Sequence, residues 1–73
     1  MRKKRIAEAQ LYTDADYVRV FDDPEGVMLM DVSLRGDGDR RKQADDALLN
    51  TMFERNGRWR KADYGCFCKL RMR

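Results

Sequence analysis

Residues 17–21 are rich in β-branched and aromatic residues, residues 27–34 resume the strand pattern, and the two runs flank Asp22-Asp23-Pro24-Glu25-Gly26. Such side chains suit the pleated, half-buried surface of a strand. Proline with its preset φ and glycine with access to positive φ suit the turn between them. The segment therefore predicts a β-hairpin, and an isolated hairpin needs further strands or a helix to bury its apolar side. In the second strand Met28, Met30, Val32 and Leu34 share one side, which is expected to face the core.

The rest of the chain supplies what the hairpin lacks. In residues 4–13, Ile6, Glu8, Gln10 and Tyr12 alternate with Ala7, Ala9, Leu11 and Thr13. Alternation favours a strand, whereas the alanines and Glu8 favour a helix; the segment is read as a strand with the helix left open. Thr13-Asp14-Ala15-Asp16 reads as a turn. Arg35-Gly36-Asp37-Gly38-Asp39 ends the hairpin and offers Asp39 as a helix N-cap. From 40 to 55, Ala44, Ala47, Leu48, Thr51 and Met52 recur at helical spacing, and Leu49 and Phe53 widen the stripe. An amphipathic helix is expected there, closed by Asn56-Gly57 in a left-handed cap.

Residues 58–61 and 64–72 then read as two strands joined by a turn at Ala62 and Asp63. Tyr64, Cys66, Cys68, Leu70 and Met72 form an apolar side with Trp59, leaving Arg58, Arg60, Phe67, Lys69, Arg71 and Arg73 outside. The expected fold is α+β: an antiparallel sheet with one amphipathic helix packed on one face, in order βββαββ, or ββαββ if the first segment is not a strand.

The chain has 73 residues, which bounds it to one domain, with residues 1–4 as a flexible basic amino terminus. Charged residues reach 40%, against roughly 25% in an average domain, so the surface is densely ionic and the core small. No apolar run is long enough for a membrane span or a signal peptide, so a cytoplasmic protein without a membrane partner is expected. The sixteen basic and thirteen acidic residues are distributed unevenly: residues 1–36 are net negative and residues 37–73 net positive. A mixed partner such as a protein and nucleic-acid assembly suits that division.

Catalysis finds little support. The chain has no histidine, which removes the usual general base near neutral pH and the nucleophiles it would activate. The carboxylate pairs Asp22 and Asp23, Asp37 and Asp39, and Asp45 and Asp46 lie in expected turns or on a polar helix face. Cys66 and Cys68 are too few for a four-ligand zinc site or a disulfide framework and are expected as free core thiols. No metal or cofactor is expected. Arg35-Gly36-Asp37 is too short a match to signify integrin recognition, and Asp37-Gly38-Asp39 lacks the alternating oxygen ligands and terminal glutamate of a calcium loop.

One surface has chemical character. Arg58, Arg60, Lys69 and Arg71 with Phe67 would gather on the sheet face away from the helix, where cations hold phosphate and an aromatic ring stacks a base. Arg40, Arg41 and Lys42 in the first helical turn form a secondary basic patch that opposes the helix dipole. Tyr64-Gly65-Cys66-Phe67 only partly matches an RNA-recognition motif, whose second aromatic is a cysteine here, and the expected single helix fits neither that fold nor the double-stranded-RNA-binding one. In size, charge density and element order the chain resembles the small proteins with which phages and mobile elements block host machinery, including several anti-CRISPR proteins. That resemblance is architectural and carries no residue roles. It implies a non-catalytic inhibitor or accessory factor docking on a protein or ribonucleoprotein complex in the host cytoplasm. The alternative expectation is direct RNA or DNA binding through the basic sheet face.

Overall fold

A computed structural model describes residues 6–23, 25–36 and 38–73. The expected flexible basic terminus at residues 1–4, the turn role of Pro24 and the part of Asp37 in the loop before the helix lie outside the described residues.

The elements run β1 (Ile6–Tyr12), β2 (Tyr17–Asp22), β3 (Met28–Ser33), α1 (Arg40–Leu48), β4 (Phe53–Arg55), β5 (Arg60–Ala62) and β6 (Gly65–Met72). All pairings are antiparallel, in the order β3-β2-β1-β6-β4, with β5 also on β6. β4 faces residues 70–72 of β6 and β5 faces residues 65–67, so they are two halves of one edge strand interrupted at residues 56–59. Counted that way, the order is the expected βββαββ.

The period-2 pattern of β1 prevails over its alanine content because both strand edges are paired. Ala7, Ala9 and Leu11 are buried, and they share the helix-facing side with Val18, Val20, Cys68 and Leu70. Ala44 and Leu48 of α1 pack into the same cluster. Ala44, Ala7 and Ala9 are all fully enclosed, so small side chains let the helix lie close against the central strand.

The expected inward face of the hairpin holds for Met30, Val32 and Leu34 but not for Met28. Met30 and Val32 oppose the buried Val20 and Val18, whereas the register shifts between Val20 and Phe21. One extra residue in β3 at this bulge turns Met28 outward, opposite Phe21, and brings Leu29 against the core instead.

The helix is shorter than its stripe implies. Asp39 caps it as expected, its carboxylate accepting the Arg41 backbone N–H at 2.9 Å, but it ends at Leu48 rather than at residue 55. Thr51 Oγ1 donates to the Leu48 carbonyl at 2.7 Å and accepts the Phe53 N–H at 3.1 Å, folding the chain back into β4. The Arg73 guanidinium donates to the Leu48 and Leu49 carbonyls at 3.3 and 3.2 Å, satisfying acceptors that a helix end leaves open. Phe53 is then fully buried from a strand, while Leu49 and Met52 lie exposed. Burial of the phenyl ring and ladder bonds to β6 replace two further helical turns. Asn56-Gly57 accordingly caps no helix: Gly57, at φ +123°, serves the break between β4 and β5.

Candidate functional site

The sheet face away from α1 is built by the alternate residues of each strand. Across it, Asp31, Arg19, Gln10, Phe67 and Arg60 form one row, since each is the register partner of the next. Phe21, Glu8 and Lys69 form a second, and Ile6, Arg71 and Glu54 a third. Towards the β1–β2 turn the face becomes aromatic. Tyr12 and Tyr17 meet edge to face at 5.9 Å between ring centroids, and Tyr64 lies 5.3 Å from Tyr12.

Arg19 anchors that cluster. Its guanidinium carbon sits 4.9 Å from the Tyr17 ring centroid and 5.5 Å from that of Tyr12, within cation–π range. One guanidinium nitrogen donates to the Tyr17 hydroxyl at 3.1 Å, while Nε is buried without a hydrogen-bond partner. Tyr12 in turn donates to Gln10, and Gln10 to Glu8, at 2.8 and 2.9 Å. Burial, then the nearby Glu8 carboxylate, raises the Tyr64 phenol above its ordinary range, so that ring keeps its hydroxyl proton.

The expected basic character of this face is largely cancelled in place. Lys69 bonds Asp23 at 2.9 Å and Glu8 at 3.2 Å. Those hydrogen bonds, Asp23 first, raise the pKa of its ammonium and keep the charge committed. Arg71 donates to Glu54 at 2.8 Å. Arg60 has no ion pair among the described residues and lies beside Phe67, which is half-buried rather than exposed. Lys69, Arg71, Arg60 and Phe67 do share the expected face.

Arg58 does not share it. It falls in the interruption between β4 and β5, and the loop carries it to the helix side, where it lines a shallow groove of about 350 Å³ with Arg41, Lys42, Arg55 and Trp59. Trp59 joins the core side as expected, packing against the buried cluster and donating from Nε1 to Asp45 Oδ1 at 2.9 Å.

The secondary patch is likewise divided. Arg40 turns away to bond the Ala15 carbonyl and Asp16, tying the β1–β2 turn to the start of the helix. Arg41 and Lys42 remain at the groove.

Both cysteines are free; Cys68 is buried and Cys66 half-buried. Burial pushes the Cys68 thiol up to about 12, which makes it an inert core group. A larger cleft between β3 and α1 is lined by polar residues such as Asp31, Ser33, Arg35, Gln43, Asp46 and Asn50. Among the described residues no three His, Cys, Asp or Glu side chains cluster as metal ligands, and no helix is long and apolar enough to cross a membrane.

Sequence reasoning missed Tyr12, Tyr17, Tyr64 and Arg19 as a group, and it put Tyr64 on the core side with Cys66, whereas the turn before β6 lays it against Tyr12 on the open face. The signal lay in the turn at residues 13–16: a hairpin there sets Tyr12 across from Tyr17, and strand alternation puts Arg19 on the same side as Tyr17. Comparison with known protein families, curated proteins and solved structures finds no match.

Proposed function

We propose that this protein is a non-catalytic binding module, an inhibitor or accessory factor that docks through its outer sheet face on the protein surface of a nucleic-acid-handling complex. The observation that carries the reading is Arg19 held against Tyr12 and Tyr17, with Tyr64 alongside, on the face that α1 leaves open. Tyrosine and arginine are enriched at the centres of protein interfaces, where rigid aromatic area and a pre-positioned guanidinium bind at small entropic cost. Charges already paired within the face, as in Asp23–Lys69–Glu8 and Arg71–Glu54, make a polar rim rather than a phosphate-attracting field. Direct RNA or DNA binding by this same face is the weaker reading, because its carboxylates would repel the backbone that its cations attract.

The test is affinity capture from nuclease-treated host extract with the wild-type chain and with an Arg19→Ser/Tyr17→Ser double variant that retains its circular dichroism. A stoichiometric protein partner retained by the former and lost by the latter supports docking through this cluster. Equal retention by both chains removes the sheet face as the site, and capture from untreated extract that is lost on nuclease treatment favours the second reading.

A further inference from the structure

The groove on the helix side is lined by none of Tyr12, Tyr17, Tyr64 and Arg19, and it owes nothing to the sheet-face reading. We propose that it binds the phosphate backbone of single-stranded nucleic acid, with Arg41, Lys42 and Arg58 as the phosphate contacts and Trp59 as a stacking surface.

Three observations converge on it. The first turn of α1 carries Arg40, Arg41 and Lys42 and no acid, although cations there oppose the helix dipole. Arg40 has a structural role at the β1–β2 turn. Arg41 has only a loose contact with Asp39 at 3.8 Å, and Lys42 has no ion pair among the described residues. A second element then brings Arg58, also without an ion pair among the described residues, to the same groove. The concentration is local, because residues 6–73 hold twelve basic against thirteen acidic side chains.

The carboxylates of the groove are already engaged. Asp39 accepts the Arg41 N–H of the helix cap, and Asp45 accepts Trp59 Nε1 through one oxygen and meets Arg55 at 3.5 Å through the other. What the groove offers a ligand is therefore mainly positive charge around a half-buried indole whose orientation is fixed. That combination suits a strand with phosphates on guanidinium and ammonium groups and a base against the ring. A duplex would hide its base faces from Trp59, and an acidic peptide would have no ring to stack.

Trp59 is the only tryptophan in the chain, so its emission reports on the groove itself. Titration of the full chain with an oligothymidylate or oligouridylate of about 16 nucleotides is expected to quench that emission. About three neutralised phosphates give a slope near −2 for log Kobs against log salt. An Arg41→Glu/Lys42→Glu/Arg58→Glu variant, folded by circular dichroism, should bind at least about tenfold more weakly, while Arg58→Lys keeps most of the affinity.

Duplex DNA of equal length and polyglutamate of equal charge should bind more weakly than the single strand. Several results would overturn the proposal: no response in emission or anisotropy at low salt, equal affinity for polyglutamate or for the duplex, or full affinity in the triple glutamate variant. In the last case, loss on neutralising Arg2, Lys3, Lys4 and Arg5 would place the strand on the amino-terminal run. Failure of these tests leaves the sheet-face docking standing, and failure of the Arg19 and Tyr17 test leaves the groove standing.

Discussion

Trp59 Nε1 donates to Asp45 Oδ1 at 2.9 Å, and this one bond fastens the interrupted edge strand to the exposed flank of α1. The same carboxylate meets Arg55 at 3.5 Å, so Asp45 gathers the helix, the end of β4 and the loop that follows it. Asp45→Ala leaves the half-buried indole N–H without its acceptor. The expected cost is about 1–2 kcal/mol, with a red shift of the Trp59 emission as the loop loosens. Urea unfolding followed by that emission measures both, and Asp45→Asn, which keeps an acceptor, should recover most of the loss. Wild-type emission and midpoint in Asp45→Ala would show that the loop is held by packing alone.

Phe53 separates the two structures that its neighbourhood could form. In a helix to residue 55, Met52 would belong to the apolar stripe; in the fold, Phe53 is fully buried and Met52 is 55% exposed. Phe53→Ala should therefore cost about 3–5 kcal/mol, enough to populate the unfolded state of so small a domain, while Met52→Ala should stay within about 0.5 kcal/mol of wild type. Denaturant midpoints decide it, and the opposite ranking would restore the long helix.

These residues also show what the sequence can and cannot reveal. The hairpin, the alternation of β1 and the two-sided pattern of residues 66–71 are local signals of period 2, and the sheet follows them; at the ends of that pattern Tyr64 turns to Tyr12 on the open face and Met72 is exposed. The end of α1 is not local. It depends on Arg73, the last residue, reaching the Leu48 and Leu49 carbonyls, and on an edge of β6 being free to pair with residues 53–55. Ala44, Ala47, Leu48, Thr51 and Met52, recurring at helical spacing, carry no trace of either. The site divides in the same way. Alternation placed Lys69, Arg71, Arg60 and Phe67 on one face, but neutralisation by Glu8, Asp23 and Glu54 depends on register across three strands. Arg58 left the face because two edge segments, rather than one, flank it.

Gly65 is fixed by the backbone opposite. It pairs with Tyr12 across β1 and β6, and a Cβ there would come within 2.1 Å of the Leu11 carbonyl oxygen, at a φ of +148°. Carbonyl oxygen is part of the ladder and has no side-chain freedom with which to yield. Gly65→Ala should lower Tm by about 8 °C or more, from a strain of about 1–3 kcal/mol together with displacement of β1. Because Tyr12 moves with that strand, the near-ultraviolet circular dichroism of the tyrosine cluster should weaken as well. A variant that melts within a degree or two of wild type would mean that the strands can separate locally at no cost.

Cys68 predicts an alkaline limit on stability. Burial raises its thiol from 9.0 to about 12, so the folded state holds a proton that the unfolded chain releases. A raised pKa gives stability that is fully present below pH 9 and is lost as pH climbs towards 12. Lys69 and Tyr64 act in the same direction at higher pH, the first through hydrogen bonds to Asp23 and Glu8 and the second through burial. Urea midpoints should therefore fall progressively above pH 9. Cys68→Val, of similar volume and without a titrating group, should flatten the first part of that fall, between pH 9 and the onset of Lys69 and Tyr64 ionisation, while leaving the later part intact. In the folded wild type at pH 8, iodoacetamide should modify the half-buried Cys66 well before Cys68. A Cys68→Val curve parallel to wild type across the whole range would show that the thiol keeps its ordinary pKa and that the core admits water at this strand.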